Sequence, residues 1–351
     1  MDTFTFTPTT GPVSVHFYQE LTVPTIPVSG GLYVVDTNTA PLLRAAKGYA
    51  EHAPVIVIEA GESHKTLLNI EKILTAAFDA GLARDSLFVG FGGGVITDMT
   101  AFAASLFMRG ARVELVPTTL LAMADAAIGG KTGIDFKGLK NSVGTFYPAQ
   151  AIHISVSALR TLDRREFLSG LAEVVKTGLL YAPKLFHILQ TRHDEILNGN
   201  EELLLEIVKR CVQAKARVVE RDLRESGERM FLNLGHTFGH ALESVAGFGS
   251  VTHGEAVAWG IGRAIELGIR LGITESEYKQ DVFPTLEAYG WCTSAIHPSL
   301  KDLSDVGNTL LQAMKGDKKK RGGTIRFVLQ REMNSTLVTE VPDGEVLAVL
   351  S

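Results

Sequence analysis

Two histidines four residues apart, His236 and His240, lie in the segment Asn233-Leu234-Gly235-His236-Thr237-Phe238-Gly239-His240. Helical side chains at i and i+4 share a face, so both imidazoles can address one cavity. A third, His253, stands in Thr252-His253-Gly254-Glu255, and a carboxylate, Glu173, ends Gly170-Leu171-Ala172-Glu173. Imidazole and carboxylate are the groups a catalytic zinc takes, three from the protein with one position left open. Spacing alone leaves open which three of the four bind. The plain alternative is a set of helix histidines hydrogen-bonded to their surroundings.

A second constellation suits anions. Gly92-Gly93-Gly94 follows an apolar run and precedes a helical one, with Asp98 close behind. Such a turn lets backbone approach a phosphate, and the helix N-terminus favours negative charge. A tight turn is the plain alternative. Pro117-Thr118-Thr119-Leu120-Leu121 leads to Asp125, then Gly129-Gly130-Lys131-Thr132-Gly133, then Lys140-Asn141. Lysines supply charge there, and a flexible loop supplies N–H donors. The spacing of a P-loop, Gly-x4-Gly-Lys-Ser/Thr, is missing. Further cations follow: Lys176, Lys215, Arg229 and the run Asp317-Lys318-Lys319-Lys320. Each alone is ordinarily a solvated charge, and Lys319 and Lys320 are read as that.

The elements that must position these groups fall into two textures. Residues 31–35, 54–58 and 87–91 read as buried strands, with helical spacing over 67–80 between the last two. The third strand, the glycines and a helix over 97–108 form one strand–loop–helix unit, and a strand over 113–116 ends at Pro117. Alternating strand and helix predict an α/β fold with a parallel sheet. Beyond about residue 165, helical patterns dominate: 165–180, 201–220, 230–246, 253–271 and 275–287. The tail, 324–330 and 335–341, reads as two strands. The expected division is residues 1–160 and 161–351. No internal repeat is seen.

Composition narrows the class. The chain has 351 residues, 45% hydrophobic and 21% charged, enough for a sizeable core. A formal net charge of -5 argues against nucleic acid as a partner. Two cysteines, Cys211 and Cys292, imply no disulfide framework, so a reduced, cytoplasmic setting is expected. The N-terminus lacks a signal-peptide pattern, and no run of apolar residues is long enough for a membrane span.

In order along the chain, Gly92-Gly-Gly-Val-Ile-Thr-Asp98, Met108-Arg-Gly110, Pro117-Thr-Thr-Leu-Leu-Ala122, Gly129-Gly-Lys-Thr-Gly133, Lys140-Asn141, Gly170-Leu-Ala-Glu-Val-Val-Lys176, the histidine segment, His253-Gly254 and Asp317-Lys-Lys319 closely resemble the 3-dehydroquinate synthase family, within the sugar phosphate cyclases. The resemblance implies a Rossmann-like N-terminal domain holding NAD, an α-helical C-terminal domain holding Zn2+ or Co2+, and a homodimer with the active site between domains. It implies Glu173, His236 and His253 as metal ligands, with His240 beside the metal rather than on it. Cofactor contacts carry over to Asp36, Glu62, Lys65, Gly93, Gly94, Val95, Asp98, Thr118, Thr119, Lys131, Lys140 and Thr161. Catalytic or substrate contacts carry over to Lys131, Lys176, Lys215, Arg229, Asn233, His240, Asp125, Asn141 and Lys318. Arg109 matches an arginine that reaches a neighbouring subunit's phosphate pocket.

The implied reaction belongs to the shikimate pathway of aromatic amino acid biosynthesis. A phosphorylated sugar acid, 3-deoxy-D-arabino-heptulosonate 7-phosphate, becomes 3-dehydroquinate and phosphate. The steps are transient oxidation by NAD, β-elimination, re-reduction and intramolecular aldol closure. The sequence departs from the family pattern at Thr97, at Thr100-Ala101, and at Gly133-Ile-Asp135-Phe136. Three other readings compete: a metal-dependent alcohol or glycerol dehydrogenase, a sugar phosphate cyclase for a substrate without a carboxylate, and a non-catalytic metal- or nucleotide-binding regulator.

Overall fold

A computed structural model describes residues 2–27, 30–247, 249–318 and 325–351, the side chains of Asp317 and Lys318 excepted. The expectations placed on Lys318, Lys319 and Lys320 therefore lie outside the described residues. The described residues cluster into two compact units, one reaching Asp163 and including Leu204–Arg224, the other comprising Arg164–Leu203 and Glu225–Ser351.

The first unit is built on strands β1 (Asp2–Phe6), β2 (Val13–Tyr18), β3 (Gly31–Asp36), β4 (Val55–Ile58), β5 (Leu87–Gly92), β6 (Arg112–Pro117) and β9 (Ala151–Ser155). They form a seven-stranded sheet in the order β1-β2-β9-β6-β5-β3-β4. Every pair is parallel except β1 with β2. All six residues of β5 are buried, which its unbroken apolar run requires of a strand covered on both faces. Helices α1 (Ala40–Ala45), α2 (Leu67–Asp79), α3 (Gly94–Leu106) and α4 (Leu120–Ala124) connect the strands, and β7 (Lys131–Phe136) pairs with β8 (Leu139–Phe146) as an antiparallel hairpin. In the run β4-β3-β5-β6-β9 the chain order reverses between β3 and β5. In open α/β sheets, ligands bind beyond the strand C-termini at that reversal. Asp36 ends β3 and Gly92 ends β5 there.

The second unit carries α5 (Arg164–Tyr181), α6 (Pro183–Thr191) and α7 (His193–Leu197), and then, after α8 (Glu201–Arg221), α9 (His236–Ala246), α10 (His253–Arg270), α11 (Ser276–Ala288), α12 (Val306–Lys318) and α13 (Asp343–Ala348). Most of α8 belongs to the first unit, where Lys209 pairs with Asp2 at 2.7 Å and Glu220 accepts the Thr7 N–H at 2.6 Å. Strands β10 (Arg326–Glu332) and β11 (Ser335–Glu340) form a hairpin that packs on α10. The parallel α/β sheet and the helical second half are as expected.

Three elements differ. The helix expected over 230–246 is broken: Glu228–Asn233 is a 3-10 turn, and α9 starts only at His236. Gly235 causes the break, with φ 79°, in the left-handed region that glycine adopts at little cost. A Cβ there would lie 2.7 Å from the Val257 carbonyl oxygen, so α9 and α10 meet too closely for a side chain. The loop expected around Lys131 is the β7–β8 hairpin, whose alternation was masked by its glycines. The helix expected over 97–108 spans Gly94–Leu106, because Met108 and Arg109 adopt left-handed φ of 46° and 65°. Strands β1, β2 and β9 were not anticipated, being short and adjacent to turn-rich stretches.

Candidate active site

Helix packing in the second unit assembles a buried cluster. Ser169, Glu173 and Lys176 lie on one face of α5, at i, i+4 and i+7. Gly254, second in α10, presses against that face: its N–H donates to Ser169 Oγ at 3.0 Å, and a Cβ on it would lie 2.1 Å from the Ser169 carbonyl oxygen. The start of α10 is fixed by a capping box. Thr252 Oγ1 accepts the Glu255 N–H at 3.2 Å, and Glu255 Oε2 accepts the Thr252 N–H at 2.7 Å. His253, between those two devices, is thereby held over Glu173.

The Nε2 atoms of His253 and His236 lie 3.3 and 3.7 Å from Glu173 Oε1. Glu173 is 1% exposed, and Lys176 pairs with its Oε2. His236 Nδ1 sits 3.2 Å from the Leu234 carbonyl oxygen, which leaves Nε2 toward Glu173. The His236 ring lies 5.3 Å from both the His240 and the His253 rings. The set Glu173, His236 and His253 presents ligand atoms all within 4.8 Å of one another.

The electrostatics follow from burial and proximity. Burial would raise Glu173, but the Lys176 ammonium and the rings of His253 and His236 outweigh it and hold the carboxyl well below its usual range. Burial and Lys176 together push His236 well below the ordinary histidine value. His253 is carried against burial, by Glu173 and Glu243, up to about 9. Neither oxygen of the buried Glu173 carboxylate meets a well-aligned hydrogen-bond donor. Two imidazoles and a carboxylate lacking aligned donors match the donor set of a divalent cation.

Of the other expected residues in this unit, Arg229 is 2% exposed in the turn before α9, and Asn233 Nδ2 donates to Glu225 Oε1 at 2.5 Å. His240 lies one turn beyond His236 on α9 and is exposed. Glu243, one turn further, was missed. Its Oε2 lies 3.5 Å from His253 Nδ1. The i+3 spacing from His240 was the available signal.

The first unit gathers a different cluster. Lys65 Nζ donates to Asp98 Oδ2 at 2.7 Å and to Asn141 Oδ1 at 2.5 Å. Lys215 Nζ reaches Asp125 Oδ1 at 2.6 Å and the Asp125 carbonyl at 2.7 Å. Burial would lower Lys65, but Asp98 and Glu62 raise it; burial raises Asp98 and Glu62, each opposed by Lys65. Gly93 caps the N-terminus of α3 with no capping side chain, and a Cβ on it would lie 3.0 Å from Thr119 Cγ2. Gly94 and Val95 form the first turn. This narrow backbone cradle at a helix N-terminus fits a dinucleotide phosphate.

Asp36 Oδ1 accepts the Thr39 N–H and Oγ1–H, each at 2.8 Å. Thr118 is buried, and Thr119 caps α4 by accepting the Ala122 N–H. Thr161 donates to the Ala158 carbonyl at 3.3 Å, closing a 3-10 turn. Lys131 and Lys140 are exposed on the β7–β8 hairpin, and Arg109 is exposed after α3. The departures at Thr97 and Thr100 turn their hydroxyls onto α3's own carbonyls, Gly94 at 3.0 Å and Ile96 at 2.7 Å. Ala101 is buried in the same helix. Asp135 Oδ1 accepts the Asn141 N–H at 2.8 Å, which steadies a hairpin residue with φ 50°, and Phe136 is exposed.

Family models described as 3-dehydroquinate synthase N-terminal and C-terminal match residues 55–169 and 170–320. A 3-dehydroquinate synthase of Acidithiobacillus ferrooxidans is 39% identical over 323 residues, covering 90% of this chain and 87% of that protein. Among solved structures, 2-epi-5-epi-valiolone synthase from Streptomyces hygroscopicus subsp. jinggangensis, with NAD+ and Zn2+ bound, matches with a TM-score of 0.84 at 27% identity, over 96% of this chain and 95% of that one. A 2-deoxy-scyllo-inosose synthase complexed with carbaglucose-6-phosphate, NAD+ and Co2+ shares the fold, with a TM-score of 0.82 at 22% identity over 99% of each chain.

Proposed function

The chain belongs to the 3-dehydroquinate synthase family, and from that premise we propose that it converts 3-deoxy-D-arabino-heptulosonate 7-phosphate into 3-dehydroquinate and inorganic phosphate. This makes it a carbon–oxygen lyase of aromatic amino acid biosynthesis. The observation that carries the reading is the convergence of Glu173, His236 and His253 beside Lys176. Glu173, His236 and His253 hold a divalent cation, zinc or cobalt. Gly93, Gly94 and Val95 cradle the NAD phosphates, with Asp36 at the end of β3 and Lys65 after the 3-10 turn that follows β4. When bound, NAD supplies a reversible hydride acceptor and the cation supplies Lewis-acid polarisation.

The chain's own residues bind and orient. Arg229 presents the planar fork that suits the substrate carboxylate, and Lys215 assists at that end. Lys176 and Lys131 stabilise the remaining negative charge, with Lys318 assigned to the same task. Asn233 is aimed by its bond to Glu225, and Asn141 by its bonds to Lys65 and Asp135. Preorganised donors of this kind act by positioning and charge stabilisation. His240 borders the cation site and contacts substrate. Thr161 and the lysines of the hairpin complete the dinucleotide contacts.

The protein acts as a cytoplasmic homodimer. The support is exposed apolar side chains on β8, with Leu139, Val143 and Phe146 each 37–43% exposed, and the pairing of β8 with β7 alone among the described residues. Arg109 is the residue that would reach the second copy.

The test is direct. Protein, NAD+, Zn2+ and the heptulosonate phosphate are mixed and phosphate release is followed. One phosphate per 3-dehydroquinate, without net NADH, is expected. No phosphate release from a folded, metal-loaded sample overturns the proposal. Accumulating NADH with simple polyols would favour a dehydrogenase.

A further inference from the structure

We propose that Glu243 is a positioning residue that fixes the His253 ring for cation binding; this rests on the cation site proposed above. A ligating imidazole gives a lone pair from one nitrogen, so the other carries hydrogen and needs an acceptor. That acceptor sets the tautomer and the ring orientation. His236 meets this need within its own segment, with Nδ1 3.2 Å from the Leu234 carbonyl oxygen. His253, likewise the first residue of its helix, turns its second nitrogen to a side chain instead. Its Nε2 faces Glu173, and its Nδ1 faces Glu243 Oε2 at 3.5 Å.

Helix α9 delivers Glu243 to that place. His236, His240 and Glu243 stand at i, i+4 and i+7 on one face, so the helix that supplies one ligand also supplies the second ligand's acceptor. The Glu243 side chain is only 9% exposed, and Oε2 is enclosed. A buried carboxylate is costly unless a donor faces it, and the His253 N–H is the donor its position implies.

His240, Glu243 and His253 also present atoms within 4.8 Å of one another and so form a second grouping with the composition of a metal site. Two features argue against that role. His240 is exposed, whereas Glu173 is buried. More decisively, a His253 that ligates through Nε2 keeps hydrogen on Nδ1, the nitrogen facing Glu243. Occupation of the first grouping therefore makes Glu243 an acceptor and bars it from sharing a second cation through Nδ1.

The experiment measures zinc affinity by chelator competition and zinc stoichiometry by elemental analysis. Glu243→Ala should weaken zinc binding by about 10- to 100-fold. Glu243→Gln, whose amide oxygen still accepts from Nδ1–H, should lose less than Glu243→Ala. Nitrogen NMR of histidine-labelled, zinc-loaded protein should show His253 hydrogen on Nδ1, with its signal perturbed in both variants. A purely structural role would lower the stability of the chelated protein without separating Gln from Ala in zinc affinity. Unchanged affinity in Glu243→Ala overturns the proposal. So does a wild type binding two zinc ions of which Glu243→Ala loses only the second, since Glu243 would then be a ligand. If Glu173→Ala and His236→Ala also kept wild-type affinity, the cation site itself would fall; if they lost zinc while Glu243→Ala did not, only the positioning role would fall. Should Glu243→Ala fail to fold, the Gln variant and the NMR signal still decide.

Discussion

In the first unit, Lys65 lies 2.7 Å from Asp98 and Lys215 lies 2.6 Å from Asp125, each cation against a carboxylate it can neutralise. In the second, three potential ligand groups from α5, α9 and α10 crowd within 4.8 Å, and Lys176 pairs with one oxygen of the central carboxylate. Both clusters are charged and buried, yet they are built to different rules. The first is matched internally, so a ligand entering it must exchange contacts with the protein. The second gathers three groups that can each offer a lone pair to one point, beside the Lys176 ammonium, an arrangement suited to a shared cation. The first cluster is held by its own ion pairs, whereas the second, under the function proposed above, would gain stability from a bound cation.

The comparison can be broken at either cluster. The largest effect is expected from Glu173→Ala, which removes a ligand outright. Zinc affinity should fall by more than about 100-fold, beyond what loss of an outer-shell partner causes, with phosphate release falling alongside. Wild-type affinity by chelator competition would abolish the distinction. Next, Lys65→Met leaves Asp98 without its ammonium. Removing one member of a buried pair costs about 3–5 kcal/mol, and the partial exposure of Asp98 places this change toward the lower end. Denaturant unfolding of the chelated protein measures it; a midpoint unchanged from wild type would show that the first cluster does not support its unit. The smallest effect is expected at Thr252→Ala. Losing this N-cap should cost about 1 kcal/mol and weaken zinc modestly by loosening His253. A loss of stability with no change in zinc affinity would separate the cap from the site.

Local pattern made part of this legible. The strand Leu87–Gly92, its glycines and α3 are contiguous, so a single stretch of sequence encodes both cradle and helix. The break at Gly235 was not legible, because nothing in the helical spacing of 230–246 reveals that α10 must pass within contact of that residue. The β7–β8 hairpin was obscured for a related reason: Lys131-Thr132-Gly133, behind two glycines, reads equally as a flexible loop, and only cross-strand pairing with β8 makes it a strand.

The histidine segment marks the division. By itself the sequence determined that His236 and His240 share a helix face, since a period of 3.6 requires it. It also supplied the family order of motifs, from which the resemblance named Glu173 and His253. Tertiary packing decided how those distant residues meet. The close contact of Gly254 with Ser169 sets α10 against α5, and the absence of a side chain at Gly235 lets α9 approach α10. The same packing brought Glu243 behind His253. An imidazole's tautomer depends on what faces its second nitrogen, and that neighbour is fixed by helix contacts rather than by spacing along the chain.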